Sequence, residues 1–165
     1  MNDPMFHHEE GFSLVEILLA SAVFSLVVTA ITGALIYGRQ QAVRSGMNTK
    51  AVFLMEEGIE ALYSLRNSGM NVLTYTQSAV SSGGGSWAFL GEGTQETIGQ
   101  YTRTITFADV CRNASNVIAL CPSTYTDVHT KQATVEVEWA TVPGGTRSLS
   151  STVYLTNWNS THWIQ

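Results

Sequence analysis

The sequence is short of charge. Only 13% of its 165 residues are Asp, Glu, Lys or Arg, and the eight Lys and Arg stand singly against 13 acids, giving a formal net charge of -5. A duplex-binding protein carries a basic stripe or patch, so no strong nucleic-acid binding is expected. Cysteine is scarce as well: Cys111 and Cys121 are too few for a thiolate zinc site but enough for one disulfide. No proline falls between Pro4 and Pro122, so nothing in that stretch forces a kink, and Gly33 and Gly38 are the expected weak points of any helix there. Catalytic groupings are wanting too. His7 and His8 read as exposed residues, and neither His129 nor His162 lies in a ligand or triad motif. With Asp109 and Asp127 these last two could in principle make a metal site, but surface polar residues are the expectation, with no cofactor and no enzyme activity. The Gly83-Gly84-Gly85 run lacks the Lys and Ser or Thr of a phosphate-binding loop.

What the chain has instead is one long apolar run. From Phe12 to Gly38, 27 residues contain a single charged side chain, Glu16. As a helix they rise about 40 Å, more than a hydrocarbon core of roughly 30 Å. A buried core helix is rarely apolar on every side for that length. A cleaved secretory signal is the other rival, because Ala20-Ser21-Ala22 resembles a processing site. Against it, the run continues to Ile36 and Met1–Gly11 hold no Lys or Arg. Glu16 is the anomaly, since a carboxylate within a membrane segment costs at least about 2.5 to 3.5 kcal/mol unless a cation meets it. The next cation, Arg39, lies about 35 Å up the helix. The partner must come from another molecule or from a chain terminus.

The stretch Gly11-Phe12-Ser13-Leu14-Val15-Glu16-Ile17-Leu18-Leu19-Ala20 resembles the processing and methylation site of type IV pilins and type II secretion pseudopilins. The resemblance implies that a prepilin peptidase cuts between Gly11 and Phe12 and methylates the new Phe12 amine, which then supplies the missing cation. Phe12 and Glu16 stand at i and i+4, on one helix face. With helices stacked at an axial offset, Glu16 of an incoming subunit can meet the Phe12 amine of one already assembled. Such a pair acts mainly as a register selector, and Glu16 also sits where the helix dipole favours negative charge. Arg39 and Arg44 follow the span and the leader has no Lys or Arg, so a positive-inside count alone favours the opposite orientation. The motif is the more specific signal.

Beyond Gly38 the pattern turns amphipathic. Val43, Met47, Ala51, Leu54, Met55, Ile59, Leu62 and Leu65 recur at spacings of three and four, with Arg44, Asn48, Glu56, Glu57, Glu60 and Arg66 facing away. One helix is expected from Phe12 to about Asn67, closed by Asn67-Ser68-Gly69. Residues 77–86 read as a flexible Gly/Ser loop. Strands follow from the alternation at Tyr101–Phe107, Ala133–Trp139 and Leu149–Leu155, the last two joined through Pro143-Gly144-Gly145. Cys111 and Cys121 close an 11-residue segment that, oxidised, would add about 2 to 4 kcal/mol in an exported head; two unlinked buried thiols are the alternative. Tyr154, Trp158 and Trp163 are expected to pack the last strand onto the helix, or else to form an exposed aromatic surface.

The expected fold is therefore α+β and pilin-like: a long N-terminal helix, lipid-spanning in its first half, laid on a small antiparallel sheet. The expected organisation is a leader at 1–11, a membrane or fibre-core half-helix at 12–38, an amphipathic half at 39–67, and a β-rich head at 68–165. The resemblance implies a structural subunit, inclining to a minor pilin. Its partners would be prepilin peptidase, a pilus assembly platform and other pilin subunits, and it would pass from the bacterial or archaeal inner membrane to a surface fibre. A secretion pseudopilin is the near alternative, and a single-pass anchored adhesin that never polymerises is the alternative of another class. Removing Asp3, Glu9 and Glu10 with the leader would leave ten acids against eight bases, too weak a field for a DNA-uptake tip.

Overall fold

The computed structural model of the chain describes residues 11, 13–70, 73–141 and 144–158. The chain divides into two compact units, Met1–Ser45 and Gly46–Gln165. One helix, α1 (Leu14–Ser68), is followed by β1 (Gln77–Gly83), β2 (Ser86–Glu92), β3 (Glu96–Ile98), β4 (Tyr101–Arg112), β5 (Ile118–Ala119), β6 (Tyr125–Ala140) and β7 (Thr146–Thr156). This is the expected α+β, pilin-like architecture, a long N-terminal helix with an antiparallel sheet.

α1 runs through Gly33 and Gly38 without interruption. It stops at Ser68, where Gly69 takes φ 142°, a conformation that side chains with a Cβ rarely adopt, and donates its N–H to the Arg66 carbonyl at 3.0 Å. In the first unit every described helical residue is exposed. In the second, Ala51, Leu54, Gly58, Ala61, Leu62 and Leu65 are buried, and Met47, Met55 and Ile59 are half-buried. The predicted stripe is present from Met47 onward. Val43, its expected first member, is 58% exposed.

The sheet order is β2-β1-β4-β6-β7, with β3 and β5 also on β4. One edge of β4 is used three times: by β3 at Tyr101–Arg103, by β1 at Ile105–Thr106 and by β5 at Cys111–Arg112. Its other edge pairs with β6 along its whole length, with a bulge between Asp109 and Val110. The predicted alternation faces the core as expected. Tyr101, Ile105, Ala133, Val135, Val137, Trp139 and Leu155 are buried, in two clusters with Ala51–Leu54 and with Ala61–Leu65 of the helix.

The Gly/Ser loop expected over 77–86 is instead a β-hairpin. Val80 pairs with Phe89 and Ser82 with Trp87, and Ala79 and Val80 are fully buried. The glycines are confined to the turn, where Gly84 (φ 61°) and Gly85 (φ 84°) supply the two positive-φ residues that a two-residue hairpin needs. Burial of Ala79 and Val80 outweighs the low strand propensity of the serines and glycines around them. Of the expected Pro143-Gly144-Gly145 turn, Pro143 lies outside the described residues; Thr141 N–H bonds the Gly145 carbonyl at 2.8 Å, closing the β6–β7 hairpin.

Candidate functional site

The first unit presents an apolar rod with one charge near its start. Gly11 is exposed, and Phe12 lies outside the described residues, as does the leader before Gly11. The Ser13 carbonyl accepts the first helical bonds, from the N–H groups of Glu16 at 3.0 Å and Ile17 at 3.2 Å. Glu16 thus stands in the first turn, where unsatisfied N–H groups favour a carboxylate. Its side chain is exposed, and among the described residues no cation comes within ion-pairing distance of it.

The rest of the rod is prepared for a medium without water. Leu14, Val15, Leu18, Leu19, Phe24, Leu26, Ile31 and Leu35 are all more than half exposed. The small polar side chains among them turn inward on the helix itself: Ser21 donates to the Leu18 carbonyl at 2.9 Å, Ser25 to Ser21 at 2.8 Å, Thr29 to Ser25 at 2.8 Å and Thr32 to Val28 at 2.9 Å. Each hydroxyl proton is satisfied internally, as hydrocarbon requires. Among the described residues, α1 is the one helix long and apolar enough to cross a membrane.

The family model of the prokaryotic N-terminal methylation motif matches residues 6–32. The match supports a type IV pilin-like or pseudopilin precursor, and with the apolar helix it fits a membrane-anchored one. It spans Gly11, Phe12 and Glu16 and ends inside α1, so the pilin-like motif says nothing of the head. Curated proteins and solved structures give no match to the chain.

In the second unit Cys111 and Cys121 are joined by a disulfide, with Cα atoms 5.2 Å apart. The segment they close is stiffened from both ends. Asn113 Oδ1 accepts the N–H groups of Ser115 (2.9 Å) and Val117 (3.0 Å), and Arg112 donates to the Asn116 carbonyl at 2.9 Å and, through Nε, to Asp127 Oδ2 at 2.6 Å. Tyr125 donates its hydroxyl proton to Asn116 Oδ1.

Asp109 and Asp127, weighed as metal ligands with His129 and His162, are engaged elsewhere. Asp109 pairs with Lys131 at 2.5 Å, and Asp127 pairs with Arg112 and accepts the His129 backbone N–H at 2.9 Å. His162 lies outside the described residues, and among those described no three His, Cys, Asp or Glu side chains gather as a metal site would require. Burial pushes the Asp127 carboxyl up, but the Arg112 hydrogen bond, the His129 N–H and the Arg112 charge outweigh it and hold the group below its ordinary value. Glu92 is likewise lowered, by hydrogen bonds from the Thr76 hydroxyl and N–H that outweigh its small desolvation, and by the Gln77 N–H.

The aromatic expectation needs correction. Tyr154 is 45% and Trp158 66% exposed, so neither packs the last strand onto the helix; Leu149, Val153 and Leu155 point inward instead. Tyr154 lies on the opposite face of β7 from these three by simple alternation. Trp163 lies outside the described residues.

Two residues escaped the sequence reading. Arg103 is 1% exposed and joins three partners: Glu96 through Nε at 3.0 Å, Glu57 at 3.6 Å and the Leu54 carbonyl at 2.7 Å. Its place in the alternation, inward between Tyr101 and Ile105, was the available signal of a buried ion pair. Gly58 is where α1 meets this side chain: a Cβ there would stand 2.9 Å from Val135 Cγ1 and 3.2 Å from Arg103 Cδ. A small residue on the buried stripe marks such a close approach.

Proposed function

We propose that this chain is a fibre subunit, cut by prepilin peptidase between Gly11 and Phe12, methylated at the Phe12 amine and assembled with other pilin subunits through α1. The observation that carries the reading is Glu16: a carboxylate near the start of an exposed apolar helix, inside the matched motif, with no cation near it among the described residues. In lipid or in a fibre core that charge calls for a partner, and the amine that proteolysis creates is the nearest one the chemistry offers. The precursor would sit in the inner membrane with its head exported, where an oxidising compartment suits the Cys111–Cys121 bond. The role is structural rather than catalytic, and a pilus and a secretion pseudopilus use the same arrangement.

Glu16→Ala tests this. The mature N-terminus, read by mass spectrometry, should remain an N-methylated Phe12, while the amount of subunit in sheared filaments should fall at least tenfold. A first residue still at Met1, or Glu16→Ala filaments as rich in subunit as wild type, overturns the reading; the second result is the one expected of a non-polymerising anchored adhesin.

A further inference from the structure

The edge of the sheet formed by β7 is unguarded. β7 pairs with β6 from Thr146 to Thr156 without a bulge, and among the described residues no strand pairs with its other side. Which groups that side presents follows from the register. The two ends of the ladder are fixed by the Thr141 N–H on the Gly145 carbonyl and the Asn157 N–H on the His129 carbonyl, both at 2.8 Å. Hydrogen-bonded and non-bonded pairs alternate in an antiparallel ladder, so the odd-numbered residues of β7 bond β6. Thr146, Ser148, Ser150, Thr152 and Tyr154 therefore aim their N–H and C=O groups away from the sheet. Edges are ordinarily blunted by proline, lysine, a bulge or short length. β7 is 11 residues long with Arg147 as its one charge and no proline, whereas β2, at the opposite edge, has seven residues and a bulge in its pairing with β1.

The space beside that edge is apolar beneath. A cavity of about 390 Å³ lies between β7 and α1, lined by Asn48, Val52, Trp139, Arg147, Ser148 and Leu149. From Val52 the same flank of α1 continues through Met55, Ile59 and Tyr63 at three, four and four residues, and none of the four is buried. Leu149 and Val153 of β7 are half-buried, although Ala133, Val135 and Val137 of the neighbouring strand are 0% exposed. One more strand beside β7 would cover both rows. Arg147 stands at one end of this trench, exposed, and among the described residues it enters no ion pair.

We propose that the β7 edge binds an extended segment of another protein by strand addition, antiparallel to β7, with apolar side chains at alternate positions turned onto the Val52 flank of α1 and an acidic residue opposite Arg147. Main-chain hydrogen bonds hold such a segment whatever its sequence, and its alternate side chains give selectivity. Here the apolar trench selects alternation and the unpaired guanidinium selects a carboxylate. Neither edge of a second copy supplies that pattern. β7 itself carries no acid, and β2, brought alongside with both helices on one face, would run parallel to β7 with Glu92 at the end away from Arg147. The proposal stands apart from the fibre reading and does not need it.

The full-length protein in detergent, titrated into a fluorescent, amidated octapeptide Thr-Val-Thr-Val-Thr-Val-Thr-Glu and followed by anisotropy, tests this. Antiparallel to β7, the peptide places its valines inward and its Glu opposite Arg147. Binding should be saturable and about fivefold tighter than for the same peptide ending in Lys, and Arg147→Glu should reverse that preference. Ser150→Pro removes an N–H that β6 does not use, so the variant should melt within about 3 °C of wild type while its affinity for the peptide falls about tenfold. If Ser150→Pro melts far below that, the reversal at Arg147 decides alone. Absence of saturable binding, equal affinity for the two peptides in wild type and Arg147→Glu alike, or a folded Ser150→Pro that binds as wild type does, overturns the proposal. So does a wild-type protein that is dimeric by light scattering and becomes monomeric on Ser150→Pro, which assigns the edge to a second copy.

Discussion

At the scale of single residues, Gly58 shows how a small group can have a sign opposite to its usual one, and Asp127 how one buried carboxylate ties stability to pH. Alanine ordinarily stabilises a helix over glycine by about 1 kcal/mol. At Gly58 the added methyl would press on Val135 Cγ1 and Arg103 Cδ, both in the core under α1, and overpacking costs about 1 to 3 kcal/mol. Gly58→Ala should therefore lower the melting temperature of the protein, whereas Gly46→Ala, in the same helix with no atom within 4 Å of the new Cβ, should leave it unchanged or raise it. Thermal unfolding followed by circular dichroism separates the two. Asp127 gives a pH dependence. Its carboxyl sits below the ordinary value in the folded protein, so the Arg112 contact contributes stability that is fully present above about pH 5 and is lost as pH falls through the folded value. Asp127→Asn should remove part of the acid destabilisation between neutral pH and pH 3, a difference read from melting curves of the two proteins across that range.

At the scale of elements, the second unit is strapped where its core is thin. Beyond the end of β4 at Arg112, the segment that Cys111 and Cys121 close holds only the two-residue strand β5, and Val117 and Leu120 in it are 58% and 93% exposed, so little apolar burial fixes it. The disulfide supplies the constraint instead. Cys111→Ser with Cys121→Ser, or reduction, should cost about 2 to 4 kcal/mol. That corresponds to a fall on the order of 10 °C in melting temperature, with β4 and β6 retained in the far-ultraviolet spectrum. The same contrast explains what could be read from the sequence. α1, β4, the second half of β6 and β7 carry their own periodicity, three-and-four or alternating, so they stood out residue by residue. β1 and β2 do not: Ser78-Ala79-Val80-Ser81-Ser82 carries almost no apolar signal, and its strand conformation comes from pairing with Phe89 and Trp87 on one side and β4 on the other. Long-range pairing of that kind leaves no local pattern to find. The N-terminal methylation motif was legible because Gly11, Phe12 and Glu16 stand close together in the sequence, at the head of one apolar run. The Arg103 clamp joins residues from Leu54 to Arg103 and was not.

For the whole molecule, the division at Ser45 and Gly46 separates two kinds of stability. Both core clusters draw all their members from Met47 onward, and every ion pair among the described residues also lies there. The described residues up to Ser45 bury nothing within the chain, so that length of helix has no tertiary packing to hold it and depends on its surroundings. A chain beginning at Gly46 keeps the whole core and every buried face of α1 while losing the apolar rod and Glu16. It should therefore express as a water-soluble protein that unfolds in a single cooperative transition, keeps its disulfide, and stays in the supernatant when membranes are pelleted. It should also fail to enter filaments when produced beside the full-length chain, because the apolar half of α1, through which assembly is proposed, is gone while the second unit is intact. Sedimentation, a melting curve and the filament fraction of the same preparation check all three outcomes. A truncated chain that aggregates or melts without cooperativity would mean that the first unit contributes to the fold of the second.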